Sequence, residues 1–315
     1  MGWVHGPDIV SARHRFQGRT YFMKILRIVL PLILLAGCTA SADTGPVTPA
    51  PALWKLSDPD TTIYLFGSVH ALPADVNWLT PVLEQAVGSA ETLVLEVDTR
   101  EAERNAPSLF AAMGQAIGLP PLNARIDPEL RPVLTEVIAK SGIAPQALDM
   151  MESWAAALTI AAAQLRAAGA STGAGVEQAL ATRFAEAGKP VIGLETTAEQ
   201  LGFFDALPED AQTRFLEQVI RDAAKGSDDF PAMAAAWAAG DLDGIEDSLE
   251  AEMRLSPELI DSLLEARNRR WAQWIEKRLA VPGTTFVAVG AGHFAGKDSL
   301  PELLEARALN ITRVQ

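Results

Sequence analysis

Four short apolar runs, rich in β-branched and aromatic residues, limit the class of fold open to this chain. They are 62–66 (TIYLF), 92–97 (TLVLEV), 191–195 (VIGLE) and 285–289 (TFVAV). Each reads as a buried strand, because near-continuous apolarity marks a strand covered on both faces. Between them lie stretches too long for hairpins and Ala/Leu-rich enough to be helical. The first helix is expected at 80–87, with Thr80 as N-cap and Pro81 at its first position. The segment 107–169 reads as helical, with 152–168 its longest clear helix, and 176–187 as a helix closed by Gly188. Residues 196–280 again look helical, with 241–253 and 256–279 punctuated by Gly240 and Pro257; a helix at 299–307 and a last strand at 311–314 follow. No internal repeat is visible. The expectation is an α/β fold: a central, mainly parallel sheet with large helical insertions.

The N-terminus reads as an address. Residues 25–36 are apolar apart from Arg27, and a bilayer-spanning helix needs about 20 such residues. The run fits the apolar region of a signal peptide, with Lys24 and Arg27 as its charged flank. It closes on Leu35-Ala36-Gly37-Cys38, and Cys38 is the chain's only cysteine. That order resembles the lipobox of bacterial lipoproteins, in which the cysteine is lipidated and becomes the mature N-terminus. Residues 1–38 are therefore expected to be a signal peptide, with the start of translation at Met23. Thr39 in place of an aspartate points to the outer rather than the inner membrane, with the protein on its periplasmic face. Residues 39–51 (TASADTGPVTPAP) read as a flexible tether, and 52–315 as the working domain.

Charge narrows the partners. Residues 1–38 carry +4 of the chain's formal −14, so the remainder carries −18. So acidic a surface argues against nucleic acid, whose binding rests on neutralising phosphates, and against adsorption to anionic lipid. Contact with the membrane is left to the lipid anchor. With no further cysteine, the domain has neither a disulfide nor a thiolate metal site.

The chemistry gathers at strand ends. Only His70 and His293 follow the leader, and they share one local frame: Gly67-Ser68-Val69-His70 after the run 62–66, and Gly290-Ala291-Gly292-His293 after 285–289. In open α/β sheets, ligands bind beyond the carboxyl ends of the strands. Glycine there is expected to let the backbone turn tightly and approach a ligand. Imidazole is both a common metal ligand and a general acid or base. Glu96 and Glu195 end two other runs. Two histidines with one or two carboxylates and no thiolate suit Mn, Co, Zn or Fe.

The landmarks LWKLSDPDTTIYLFGSVH (53–70), LVLEVD (93–98), GVEQAL (175–180), GKPVIGLETTAEQL (188–201), EARNRRW (265–271) and FVAVGAGHFAGKDSLPELLEARALNITRV (286–314) resemble, in order and spacing, the TraB/PrgY/GumN family. That family is related to the Tiki proteases and, more distantly, to the erythromycin-esterase/ChaN-like group. The resemblance implies that His70 and His293 are metal or catalytic residues and that Glu96 is the third functional group. It implies a functional Glu195, with Gln200 one helical turn on. It also implies an Arg-Asn pair at Arg267 and Asn268, which could clamp a substrate carboxylate or oxyanion and hydrogen-bond an amide. Phe294 stands where the family often has Leu.

The expected function is a membrane-anchored, metal-dependent hydrolase acting as a peptidase on peptide or small-molecule substrates, with metal on His70, His293 and Glu96. Whichever of Glu96 and Glu195 is not a ligand would be the general base. The alternatives are a non-catalytic envelope protein that binds haem or a peptide signal, and an envelope scaffold whose histidines only brace the fold.

Overall fold

The computed structural model describes residues 49–70, 72, 76–167, 175–225, 230–253 and 257–315. The expectations for the signal peptide, the start at Met23, Cys38 and most of the tether lie outside the described residues.

Six strands form one sheet: β1 (Leu53–Ser57), β2 (Thr61–Ser68), β3 (Thr92–Leu95), β4 (Val191–Gly193), β5 (Gly283–Gly290) and β6 (Ile311–Arg313). Their spatial order is β4-β3-β5-β2-β1-β6. The pairs β4–β3, β3–β5 and β5–β2 are parallel, whereas β1 runs antiparallel to both β2 and β6. The mainly parallel α/β sheet expected from the sequence is therefore present. β1 was not expected; it pairs Leu53–Ser57 against 62–66 through a short turn in which Asp58 Oδ1 accepts from the Thr61 N–H at 2.7 Å.

The apolar runs are covered on both faces. Alternate residues point opposite ways. Phe66, Leu93, Leu95, Phe286 and Ala288 join one core with helices α1 (Pro81–Ser89), α5 (Val176–Glu186) and α8 (Phe230–Ala239). Ile63, Leu65, Val94, Val287 and Val289 join another with α10 (Ala266–Leu279) and α11 (Leu300–Glu305). Helix α1 starts as expected, with Thr80 Oγ1 accepting from the Leu83 N–H and Pro81 at its first position. Helix α5 is closed by Gly188, whose φ of 66° suits a residue without a Cβ.

The long stretches between strands are the insertions. From β3 to β4 the chain forms α2 (Thr99–Met113), α3 (Arg131–Ser141), α4 (Ser153–Ala167) and then α5. From β4 to β5 it forms α6 (Thr197–Asp205), α7 (Glu209–Lys225), α8, α9 (Leu242–Met253) and α10. Helix α2 begins eight residues before Pro107, which lies inside it; Asp98 caps it by accepting from the Arg100 N–H at 2.9 Å. Helix α4 is buried nearly throughout and packs, with α2, α3, α6 and α7, into two helical cores away from the sheet. At the other end the chain is docked from Ala50 onward. The Ala50 N–H donates to Ala238 O at 2.7 Å, and the Gln315 amide donates to Pro51 O at 2.8 Å.

Candidate active site at the strand ends

The four parallel strands end along one edge of the sheet. Just past those ends stand His70 after β2, Glu96 after β3, Glu195 after β4 and His293 after β5. Facing them is the start of α10. Its buried stripe, Arg267, Asn268, Trp271, Ala272 and Ile275, lies on the sheet, so the first two residues reach the strand ends. A π-helical turn, Asp261–Glu265, leads into α10; such turns are frequent at functional sites.

Arg267 is the hub. It is 1% exposed, and all five of its N–H groups are spent internally. Nε donates to both Glu195 oxygens, at 3.1 and 3.0 Å. Nη2 donates to Glu96 Oε2 at 2.6 Å and Glu195 Oε2 at 2.8 Å. Nη1 donates to Leu263 O at 3.0 Å and lies 3.3 Å from His293 Nε2. The faces of Trp271 and Phe203 flank the guanidinium at 4.5 and 5.5 Å. Burial works against its charge, but Glu96 and Glu195 more than offset this and raise its pKa. It is neither a surface salt bridge nor, with every donor engaged, a free clamp for a substrate carboxylate.

The glutamates differ. Glu195 accepts from Arg267 and, at Oε1, from Arg270 at 3.0 Å. Glu96 Oε2 accepts from Gln200 at 2.8 Å as well as from Arg267, and its Oε1 accepts from the Gly290 N–H at 2.8 Å. Burial opposes its charge, but Arg267, the two histidines and the Gly290 amide hold its pKa far below the carboxylate range. So many donors make Glu96 a weak base. Its Oε1 stands 3.7 Å from His293 Nε2.

The tautomer of His293 follows from its neighbour. The Asn268 amide donates through Nδ2 to Asp298 O at 3.0 Å, which turns Oδ1 toward His293 Nδ1 at 2.6 Å. An oxygen can only accept, so Nδ1 carries the proton and Nε2 keeps its lone pair. Burial and the Arg267 charge push the imidazole pKa down to about 3. Asn268 therefore orients a histidine in this arrangement, with its oxygen and one amide N–H both engaged.

His70 is less enclosed, its side chain 24% exposed, and its Nδ1 lies 3.0 Å from Glu177 Oε1. Burial lowers its pKa, but the Glu177 carboxylate and, more weakly, Glu96 outweigh that and the net shift is upward. Ser68 Oγ donates to the same Glu177 oxygen. No role was expected for Glu177; the signal was the landmark GVEQAL, a glycine followed at two residues by an acid at a helix start. Ser68, Arg270 and Trp271, whose ring lies 4.4 Å from that of His293, were likewise seen only as neighbours within landmarks.

The motif glycines serve packing rather than turning, and neither has a positive φ. A Cβ on Gly67 would stand 3.1 Å from Ala291 Cα and 3.3 Å from the Phe294 ring, so the second motif rests on the first. A Cβ on Gly290 would stand 3.1 Å from Glu96 Oε1. Phe294 in turn stacks on Trp54, centroids 4.7 Å apart.

Two imidazoles braced through Nδ1, with a carboxylate oxygen nearby, fit a divalent transition metal in donor type, since metal-ligating histidines commonly have the second nitrogen tied this way. Among the described residues, no group of three or more His, Cys, Asp or Glu is drawn together closely enough to hold one. Glu96 and His293 face the Arg267 guanidinium instead.

A sequence model of the TraB/PrgY/gumN family matches residues 52–313. The curated relatives that match include the uncharacterized protein YbaP of Escherichia coli K12, 26% identical over 241 residues, which are 76% of this chain and 87% of that protein. YbaP of Shigella flexneri matches with the same identity and coverage. No solved structure matches.

Proposed function

The chain belongs to the TraB/PrgY/gumN family, and from that membership and the polar cluster at its strand ends we propose that it is a metal-dependent hydrolase acting as a peptidase, held at a membrane face by a lipid on Cys38. One observation carries the proposal: both Gly-x-x-His histidines come to the same edge of the sheet, each with Nδ1 against a side-chain oxygen, Glu177 for His70 and Asn268 for His293. His70, His293 and Glu96 would hold the metal. A bound divalent ion would polarise a substrate carbonyl and acidify water at neutral pH.

The protein's own groups divide the remaining work. Glu96 faces His293 and would be the ligand of the two strand-end glutamates. Glu195 faces Arg267 and Arg270 and anchors them; with both oxygens accepting from arginines, it is not placed to take a proton. Arg267 fixes both carboxylates and, at a buried position, lends a positive field to charge developing on a carbonyl oxygen. Haem binding would need an accessible imidazole, and His293, 3% exposed, leaves that role to His70 alone.

The full chain, purified in detergent, is expected to contain a divalent transition metal by elemental analysis and to cleave members of a peptide library. Chelator, His70→Ala and His293→Ala are each expected to abolish both properties. Absence of any bound divalent ion, together with unchanged hydrolysis by His70→Ala, would overturn the proposal. A Soret band on haem addition without hydrolysis would favour the binding alternative.

A further inference from the structure

We propose that Glu177 is the positioning residue of His70, and that it acts within a three-residue clamp, 175–177, that closes on residues 68–70 and decides which imidazole nitrogen keeps its lone pair. This deepens the hydrolase proposal and rests on it only where metal is concerned.

Each residue of the clamp makes a different contact. A Cβ at 175 would stand 2.5 Å from His70 O, a distance real Cβ atoms do not tolerate, so only Gly175 lets the start of α5 lie against the His70 backbone. The Val176 N–H then donates to Val69 O at 3.1 Å, pinning the middle of the motif. Glu177, in the first turn of α5, brings Oε1 to His70 Nδ1 at 3.0 Å. Fully buried Ser68 donates its hydroxyl to that same oxygen, which keeps the carboxylate from swinging away. The aligned N–H groups of the helix start favour negative charge there.

The consequence is chemical. A carboxylate only accepts hydrogen bonds, so Nδ1 of a neutral His70 must carry the proton, and Nε2 keeps its lone pair. Unpartnered imidazole prefers the opposite tautomer. His293 reaches the same state by another route, through Asn268. The two motifs thus present matching nitrogens although their orienting groups come from different helices. A salt bridge that only added stability would leave the tautomer of His70 indifferent to the identity of residue 177.

The test uses the full chain with 15N-labelled histidine, observed by long-range proton–nitrogen correlation at a pH where His70 is neutral. The Nδ1–H pattern is expected for His70 in the wild type. Glu177→Ala is expected to shift it toward Nε2–H and to weaken Mn2+ or Zn2+ binding about 10–100-fold. His293 should keep its own pattern, which reports an intact fold. Glu177→Gln, whose amide oxygen can still accept, should restore the wild-type tautomer. If the alanine variant fails to fold, Glu177→Asp decides on the same readings, because the shorter side chain withdraws the acceptor. Persistence of the Nδ1–H pattern at His70 in the folded Ala or Asp variant would overturn the proposal. The expected tautomer change in a protein that binds no metal would leave Glu177 in its role and remove the metal-dependent hydrolase instead.

Discussion

At the level of single residues, the site is organised by charge pairing out of water. Arg267 is saturated by two carboxylates, a carbonyl and an imidazole nitrogen. Removing one partner of a buried ion pair typically costs about 3–5 kcal/mol, because the other charge is left uncompensated. Arg267→Met is therefore expected to lower the unfolding free energy by about that much in urea denaturation, and adding Glu96→Gln and Glu195→Gln should recover part of it. A loss below about 1 kcal/mol, the range of a solvent-exposed pair, would contradict the desolvated network. His293 makes a separate prediction. Its folded pKa, about 3, lies below the ordinary 6.5, so over that window the unfolded chain binds a proton that the native chain does not. Stability must fall on acidification, by up to about 1.4 kcal/mol per pH unit. Between pH 6.5 and 4.5 Glu152, its carboxyl pushed upward by burial and by Glu209, works in the opposite sense, so the histidine is isolated by comparison with a variant that lacks it. His70, shifted upward, affects stability only above 6.5 and in the opposite sense, its contribution being lost as pH rises through its folded pKa. Glu96, shifted downward, adds its loss only below 4.5. Melting temperatures of wild type and His293→Gln across that interval check this: the variant's profile should be flatter, and parallel profiles would refute the assignment.

At the level of elements, the site depends on close approaches that only glycine permits. Gly67 lies under the second motif, where an added methyl meets backbone and ring at 3.1–3.3 Å. Overpacking of this kind costs about 1–3 kcal/mol, and here it would also displace the segment that carries His293. Gly88, inside α1, has no atom within 4 Å of an added Cβ, and replacing glycine by alanine in an open helix gains up to about 1 kcal/mol. Gly67→Ala should thus lower the melting temperature and Gly88→Ala raise it. Equal effects would mean that the first motif's glycine does not support the second motif. The helical insertion also completes the buried cluster: α6 supplies Gln200 to Glu96 and places Phe203 against both Arg267 and Arg270.

At the level of the molecule, residues 1–38 carry a formal charge of +4 and residues 39–315 carry −18. Among the described residues no helix is long and apolar enough to cross a membrane. The proposed attachment through a lipid on Cys38 predicts that Cys38→Ala moves the protein from the membrane to the soluble fraction of fractionated cells. Retention of the variant in membranes would defeat that assignment.

How much of this was legible in the sequence can be said residue by residue. The strand runs were readable because burial on both faces leaves unbroken apolar segments, and Gly188 and Thr80 announced helix ends through local backbone chemistry alone. Both histidines stood out because each repeats the same short frame after a strand. β1 was missed because its five residues gain their place only by pairing with β2 and β6. Pro107 hid the first half of α2, since a proline signals a break unless tertiary packing holds the helix through it. Glu177 showed only as an acid within the landmark GVEQAL, without a partner: it lies 107 positions from His70, and nothing local joins them. Arg267 read as a possible clamp because sequence names a guanidinium without saying who occupies its donors. Local propensity and periodicity are written along the chain; which distant groups share a buried site, and hence which charges and protons they keep, is decided only when the fold excludes water from among them.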